Sequence, residues 1–169
     1  MVLALVVLVR VLGAGDGSTG QAPAVIQGTT PAPRAQLPVL KVDVPPVTAA
    51  AERYCPATMS NLPIDLAGEQ SRRVDSATPF AYAWGDPAVV LICGVDRPAG
   101  FVTGTATIQI NGVQWYVDTT DPKITIWTAV DRPVYVEVRL PPDVDSAPVT
   151  ALTTHLTTAL PYQDPVPGP

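Results

Sequence analysis

The chain of 169 residues is poor in the side chains that carry most metal and redox chemistry. It holds one histidine and two cysteines, too few for a closed zinc site, and the cysteines form no Cys-Xaa-Xaa-Cys pair. Charged residues make up 15 % of the chain, against roughly 25 % in an average protein. Because the net charge is -5, no broad positive field attracts a nucleic acid. We therefore predict no metal, no cofactor and no nucleic-acid partner.

No uninterrupted apolar run approaches the roughly 20 residues that a membrane-spanning helix needs. The longest run covers residues 2–9, and the small residues Gly13, Ala14 and Gly15 follow it. This order is typical of a secretory signal, although the basic beginning of such a signal is missing. We predict that residues 1–15, completed by upstream residues, form a signal peptide or membrane anchor that brings the chain to the cell membrane. The alternative is a buried first strand or helix of the domain.

Proline, by contrast, accounts for 20 of the 169 residues, more than twice its usual share of about 5 %. Six of the prolines fall within residues 16–47, where Ala, Thr, Gln and Gly are also common. A segment with so little to bury cannot offset the entropy cost of ordering, so residues 16–47 are predicted to form a flexible stalk. Its more apolar part, residues 37–44, is suited to lie along the domain as an edge strand.

Residues 48–160 carry the patterns of one folded domain. Bulky side chains alternate with alanine over residues 80–84, and residues 88–95 are apolar apart from Gly94. Alternation predicts a half-buried strand, and a short continuous apolar run predicts a central strand that is covered on both faces. Two further strands are predicted over residues 124–130 and 134–140.

The sharpest local signal is Asn111-Gly112, since a two-residue type I′ turn needs positive φ at both central positions. Such a turn pairs Ile108 with Trp115 and Ala106 with Val117, and it places these apolar side chains on one face. A slip of one residue would move them to the other face, so we expect this register in the hairpin.

Helices are predicted at both ends of the domain. Thr48 is suited to cap the first helix, and Pro56 is expected to break or restart it. The last helix is expected to begin near Ser146, with Pro148 in its first turn. Strands joined by short turns pair antiparallel, so the order predicts an α+β fold in two layers: an antiparallel sheet of about six strands with an N-terminal and a C-terminal helix packed on it. Residues 161–169 are predicted to be a disordered tail.

The two cysteines fall on elements that are expected to meet. Cys55 lies on the apolar face of the first helix, and Cys93 lies in the central strand. Because a helix packed on the sheet brings the two together, we predict that they form a disulfide in an oxidising compartment. The alternative is a pair of buried free thiols.

The candidate binding surface centres on Trp84 and Asp86, at the end of a strand beside a rigid Gly-Asp-Pro turn. A tryptophan in that place can present a flat aromatic face to a sugar or peptide, or it can fold back over the core. Arg72 and Arg73 can hold an anionic group such as phosphate, or they can form a solvated basic pair. Arg97, which follows the central strand, is included in the same candidate surface.

We predict no catalytic residue. His155, the single histidine, lies on the threonine-rich last helix, where it is expected to be partly exposed, and no Gly-Xaa-Ser-Xaa-Gly motif is present. Many aspartates lie in turns, and two carboxylates could converge for glycosidase chemistry, but their spacing alone does not predict it.

Five stretches of the domain carry a family resemblance: Tyr54-Cys55-Pro56 with Leu62-Pro63, Trp84-Gly85-Asp86-Pro87, Leu91-Ile92-Cys93-Gly94-Val95 with Arg97-Pro98, Asn111-Gly112-Val113 with Trp115, and Tyr135-Val136-Glu137-Val138. On these stretches, within residues 54–160, the chain resembles domain of unknown function 3515, a family of actinobacterial envelope proteins. The resemblance implies a secreted or membrane-anchored protein, and it supplies neither an activity nor catalytic residues. Some members carry a further cysteine at residues 126–128, which implies that the shared bridge is Cys55–Cys93.

These observations favour a non-enzymatic extracytoplasmic domain, exported or membrane-anchored, that binds an envelope protein or a wall component. One alternative is an envelope hydrolase or transferase that uses carboxylates near the sheet. Another is a carrier of a small apolar ligand, with a cavity between the helices and the sheet. A deep pocket with two converging carboxylates would favour the enzyme, and a flat or convex surface around Trp84 and Asp86 would favour binding.

Overall fold

The computed structural model describes residue 33 and residues 36–169, so the predictions for residues 1–15 and for most of the stalk lie outside the described residues. This part of the chain forms ten strands and two helices. The strands are β1 (Leu40–Lys41), β2 (Asp65–Leu66), β3 (Glu69–Arg72), β4 (Val74–Asp75), β5 (Ala81–Trp84), β6 (Val89–Val95), β7 (Ile108–Ile110), β8 (Val113–Asp118), β9 (Thr125–Ala129) and β10 (Tyr135–Leu140). The helices are α1 (Ala49–Ser60) and α2 (Ala147–Ala159).

Eight of the strands form one antiparallel sheet in the order β2-β3-β5-β6-β10-β9-β8-β7. The α+β prediction is confirmed, with eight strands in place of about six. The unpredicted strands β2 and β3 come from residues 65–72, whose polar sequence has neither an alternating pattern nor an apolar run. Strands β1 and β4 form a separate parallel pair, in which Leu40 lies opposite Val74.

Strands β7 and β8 form the predicted hairpin. Asn111 and Gly112 both have positive φ, 44° and 81°, and Ile108 lies opposite Trp115 in the expected register. The predicted pairing of Ala106 with Val117 is wrong, because β7 begins only at Ile108.

Thr48 caps α1 as predicted, since its hydroxyl oxygen accepts a hydrogen bond of 3.1 Å from the Ala51 amide. The predicted break at Pro56 is wrong, because α1 continues through it. Proline lacks the N–H that would bond to the Glu52 carbonyl, but both residues are exposed, so water can satisfy that carbonyl. Helix α2 has Pro148 in its first turn, as predicted. Neither helix in the described part of the chain is long and apolar enough to cross a bilayer.

Both helices pack on the same face of the sheet and close one core with it. The sheet contributes large buried side chains such as Trp84, Leu91 and Trp115, and α2 contributes Leu152 and Leu156. The interior between the two layers is therefore filled by side chains, as in a two-layer α+β domain.

A disulfide between Cys55 and Cys93 joins α1 to β6 and confirms the predicted bridge. The next residue, Gly94, has a positive φ of 91°, and a Cβ atom at that position would lie 2.7 Å from the Cβ of Ala51. Helix α1 therefore rests directly on the backbone of β6, at a point where the strand has no room for a side chain.

Residues 37–44, which were predicted to belong to the stalk, lie on the opposite face of the sheet. Val42 packs there with Ala81 and Ile92 in a second, smaller core. The Leu40 amide also donates a hydrogen bond of 2.9 Å to the Arg73 carbonyl. The ordered domain therefore begins before residue 48, and its first segment lies along the domain, as its apolar composition indicates.

The prediction of a disordered tail at residues 161–169 is also wrong. The Gln163 amide donates to the Asp131 carbonyl at 2.9 Å, and Gly168 forms a parallel β-bridge with Val102. These bonds join backbone atoms that lie far apart in sequence, so the composition of the segment gave no sign of them.

Candidate functional site

The turn between β5 and β6 holds the residues at the centre of the predicted binding surface, but it does not expose its tryptophan. Trp84 is fully buried, packs beside Tyr82 in the core under the helices, and donates its indole N–H to the Pro63 carbonyl at 2.9 Å. Strand alternation gives Trp84 and Tyr82 the same face, and this is the face that the helices cover. Trp84 therefore packs over the core and presents no aromatic face to a ligand.

Arg72 is likewise an internal residue, with only 4 % of its side chain exposed. Its two terminal nitrogens donate to the carbonyls of Gly85 and Pro38, each at 2.9 Å. One of them also lies 3.4 Å from the carboxylate of Asp86. Arg72 therefore fastens residues 36–44 to the β5–β6 turn and is not available to bind an anion from solvent. Its neighbour Arg73 is exposed.

Arg97 does not belong to the same surface. Asp86 precedes β6 and Arg97 follows it, so the two lie beyond opposite ends of a strand of seven residues, which spans about 20 Å. Arg97 donates instead to the carbonyl of Phe101 at 3.1 Å. The candidate residues thus divide between two separate places, one at Asp86 and one at Arg97.

Beside Asp86 lies an open cleft of about 420 Å³, enclosed by the β2–β3 turn, the β5–β6 turn and the start of α2. Its floor is apolar and includes the buried side chains of Leu66 and Val89. Its rim carries four exposed carboxylates, those of Glu69, Asp86, Asp143 and Asp145. Among the residues that the structure describes, no lysine or arginine lines it. We call this feature the acidic cleft. The surface around Asp86 is therefore concave but wide open to solvent, so it is neither the flat or convex surface that would favour binding nor the deep pocket that would favour an enzyme.

Local turn chemistry holds the walls of the acidic cleft in place. In the β2–β3 turn, Ala67 and Gly68 both have positive φ, and the Asp65 carboxylate accepts a hydrogen bond from the Gly68 amide at 3.1 Å. On the other side, the Asp145 carboxylate accepts a bond of 2.9 Å from the Ala147 amide at the start of α2. The carboxylates thus project from ordered turns.

The charge of the acidic cleft decides what it can attract. Four carboxylates around an apolar floor favour a ligand that carries a positive charge on an apolar or flat body. Arg72 contacts Asp86 from inside the domain and offsets part of this negative charge. In the described part of the chain, no three His, Cys, Asp or Glu side chains are grouped closely enough to hold a metal ion.

A different carboxylate, Asp131, is buried after β9 beside Arg132. Desolvation raises the pKa of the Asp131 carboxyl group, and the charge of Arg132, whose guanidinium lies 3.9 Å away, opposes that rise. Arg132 also donates to the Gly112 carbonyl at 2.8 Å, so it ties the β7–β8 turn to the end of β9. This pair acts within the fold and does not line the acidic cleft.

Sequence reasoning placed Asp86 at the site but did not identify its partners. Glu69 lies at the start of β3, and Asp143 and Asp145 lie in the loop before α2, more than 70 residues further along the chain. Each is an ordinary polar residue in its own segment, so no local pattern distinguishes it from other surface carboxylates. Only the packing of α2 beside the β2–β3 turn brings the three together.

Comparisons with known proteins agree with the resemblance in the sequence. The family model described as "Protein of unknown function (DUF3515)" matches residues 1–165. No curated protein and no solved structure matches the chain. Because the match extends over nearly the whole sequence, the chain belongs to the DUF3515 family of proteins of unknown function.

Proposed function

We propose that this chain is an extracytoplasmic domain of the cell envelope, exported or membrane-anchored through residues 1–15. In this proposal it binds a wall component through the acidic cleft and does not transform a substrate. The observation that carries the proposal is the disulfide between α1 and β6.

The disulfide supports an oxidising compartment, because such bonds persist in secreted proteins and are rare in the cytosol. Cys55 and Cys93 are both buried, so the bond is shielded from small reductants while the domain is folded. A bond in that position joins the two layers of the fold. This is the role of a structural disulfide in an exported domain.

The acidic cleft supports the choice of ligand. A concave site with an apolar floor and a few convergent polar groups is the usual form of a binding site. Here all the charged groups that described residues contribute to the rim are carboxylates. Free amino groups on wall peptides are cationic at neutral pH and are therefore the matching chemistry.

The location is tested on protein recovered from its native cells. Thiols are blocked under denaturing conditions, so that burial alone cannot protect them, and the intact mass is then measured before and after reduction. We expect no alkylation before reduction and two alkylated cysteines after it, while the same mass shows whether residues 1–15 were removed. Protein made in a reducing cytosol is the control. Two free thiols in the native material would contradict the proposed location.

Binding is tested by co-sedimentation of the full chain with purified, insoluble wall sacculi. We expect the protein to pellet, and the double variant Glu69→Gln/Asp143→Asn to lose up to about thirtyfold in affinity, since each of the two exposed charge contacts contributes up to about 1 kcal/mol. Glu52→Gln, on the exposed side of α1, removes one carboxylate away from the cleft and serves as the control. Acetylating the amines of the sacculi should also abolish pelleting. Equal pelleting of all variants would refute the role of the cleft.

A second candidate function is a carboxylate-dependent hydrolase or transferase. It is favoured by the convergence of Glu69, Asp86, Asp143 and Asp145 on one cleft. A general acid at neutral pH usually depends on burial, and these four side chains are exposed, which favours binding over catalysis. Release of soluble fragments from the sacculi, lost in Asp143→Asn, would support the enzyme and contradict the binding proposal.

A further inference from the structure

Residues 163–168 make contacts with Arg97, residues 101–103, Asp131 and Tyr135. We call the segment the strap and the surface that it contacts the strap groove. The Gly168 amide donates to the Phe101 carbonyl at 2.9 Å, and the Thr103 amide donates to the Gly168 carbonyl at 2.9 Å. The Thr103 hydroxyl donates to the same carbonyl at 3.0 Å. The strap thus pairs with the 101–103 loop as an added strand does with a sheet edge.

Two more bonds hold the strap, and both reach its backbone. The Tyr135 hydroxyl donates to the Val166 carbonyl at 3.3 Å, and the Gln163 amide donates to the Asp131 carbonyl at 2.9 Å. The groove therefore binds the main chain of an extended segment and uses few of its side chains. A second segment with the same backbone conformation can make the same bonds.

The strap buries little apolar surface in return. Val166 is 59 % exposed, Pro165 is half-buried, and Gly168 is the one fully buried residue of the segment. A segment that is held by a few hydrogen bonds and buries only one glycine opens at a lower free energy than global unfolding requires. The groove can therefore exchange its occupant while the rest of the domain stays folded.

The strap also indicates which segment the groove accepts. Pro165 and Pro167 restrict the strap to an extended backbone before it is bound, which lowers the entropy cost of binding. At Gly168, a Cβ atom would lie 2.0 Å from Nη1 of Arg97. The guanidinium ends a flexible side chain and can move, so a larger residue there would cost about the one hydrogen bond that Arg97 donates to the Phe101 carbonyl. The groove is thus suited to a glycine that follows a proline.

We propose that the strap groove is a docking site for an extended Pro-Xaa-Pro-Gly segment of a partner protein, and that the strap occupies it in cis as a displaceable competitor. The chemistry of the partner is taken from the segment that already fits the groove. This surface is separate from the acidic cleft, so the inference does not depend on the proposed function.

The test measures fluorescence anisotropy of a labelled peptide with the sequence of residues 163–169. Two proteins are compared, the full chain and a chain that ends at Tyr162. A short tether keeps the strap at an effective concentration near the millimolar range. We therefore expect the peptide to bind the shortened chain at least about tenfold more tightly than the full chain. A peptide with valine in place of the glycine should bind more weakly.

Matched variants separate the groove from a general effect. In the shortened chain, Tyr135→Phe removes one hydrogen-bond donor. It should lower the affinity for the peptide by about fivefold, as expected for one hydrogen bond of about 1 kcal/mol. Tyr162→Phe removes a hydroxyl whose partner, Asp164, is absent from that chain, and it should change nothing. An equal loss of peptide affinity in both variants would contradict specific binding in the strap groove.

Three outcomes would overturn the proposal. The first is no peptide binding to a shortened chain whose circular dichroism and cooperative unfolding match those of the full chain. If the shortened chain does not fold, the full-length variant Gly168→Val replaces it, and peptide binding no tighter than that of the unaltered chain is the second. The third is a dimer of the full chain that shortening abolishes, because it would assign the groove to the strap of a second copy.

Discussion

Replacing Gly94 by alanine should push α1 away from the backbone of β6 and destabilise the domain. Gly94 has a φ of 91°, where an L residue costs about 1–2 kcal/mol, and its new Cβ would lie 2.7 Å from the Cβ of Ala51. Neither atom is at the end of a flexible side chain, so backbone must move, at the usual overpacking cost of about 1–3 kcal/mol. We expect Gly94→Ala to lower the free energy of unfolding by about 2–5 kcal/mol.

Gly104 offers a matched control, because its φ is 87° and a Cβ atom there would meet no atom of the described residues within 4 Å. Gly104→Ala should cost only the backbone term, about 1–2 kcal/mol. Urea unfolding of the oxidised proteins, followed by fluorescence of the buried tryptophans, gives both values. Equal destabilisation by the two variants would refute the argument that α1 rests on the strand backbone.

A second variant tests the same contact from the helix side. Ala51→Gly alone should cost about 1 kcal/mol, since glycine is a poor helix former. In the Gly94→Ala background it removes the atom that the new Cβ meets, so it should instead restore stability. A double-mutant cycle with no coupling between the two positions would show that the contact is not the cause.

Three other predictions concern the Cys55–Cys93 bridge, the hydrogen bonds of Arg72 and the buried carboxyl group of Asp131. Replacing both bridged cysteines by serine should lower the free energy of unfolding by about 4 kcal/mol in urea, because the bond closes a loop across a separation of 38 residues. Arg72→Met should cost about 3 kcal/mol and speed proteolysis within residues 36–44, since two charged hydrogen bonds are lost, whereas Arg73→Met at the exposed neighbouring position should change neither. Burial raises the pKa of Asp131 above its usual 3.8, so the stability that this group contributes is complete below that value and is lost as the pH rises through the folded-state pKa. As the pH rises from 3 to 7, the Asp131→Asn variant should therefore become more stable to heat relative to the unaltered chain. Parallel profiles of thermal stability against pH for the two proteins would contradict this.

Both faces of the sheet are covered, but by different means. The helices cover one face with large apolar side chains and a disulfide. The other face is covered in part by residues 37–44, which Arg72 holds through a backbone carbonyl. Hydrogen bonds between backbone atoms also fix the strap.

The sequence by itself determined the features that depend on neighbouring residues. Asn111-Gly112 specified the turn and register of the β7–β8 hairpin, because positive φ at both positions has few alternatives. The alternation over residues 80–84 and the apolar run of β6 specified strands, and Thr48 specified the start of α1. The bridge between Cys55 and Cys93 followed from placing a helix on a central strand.

Only the tertiary structure decided which side of each strand would be covered. Alternation shows that Trp84 shares a face with Tyr82, but not that the helices bury that face, so the sequence left open whether Trp84 is presented to a ligand or folded over the core. Arg72 is charged and was expected at the surface, yet carbonyls from two distant segments satisfy it inside the domain. The acidic cleft and the strap groove share this origin, because each is assembled from loops that meet only after the helices and strands have packed.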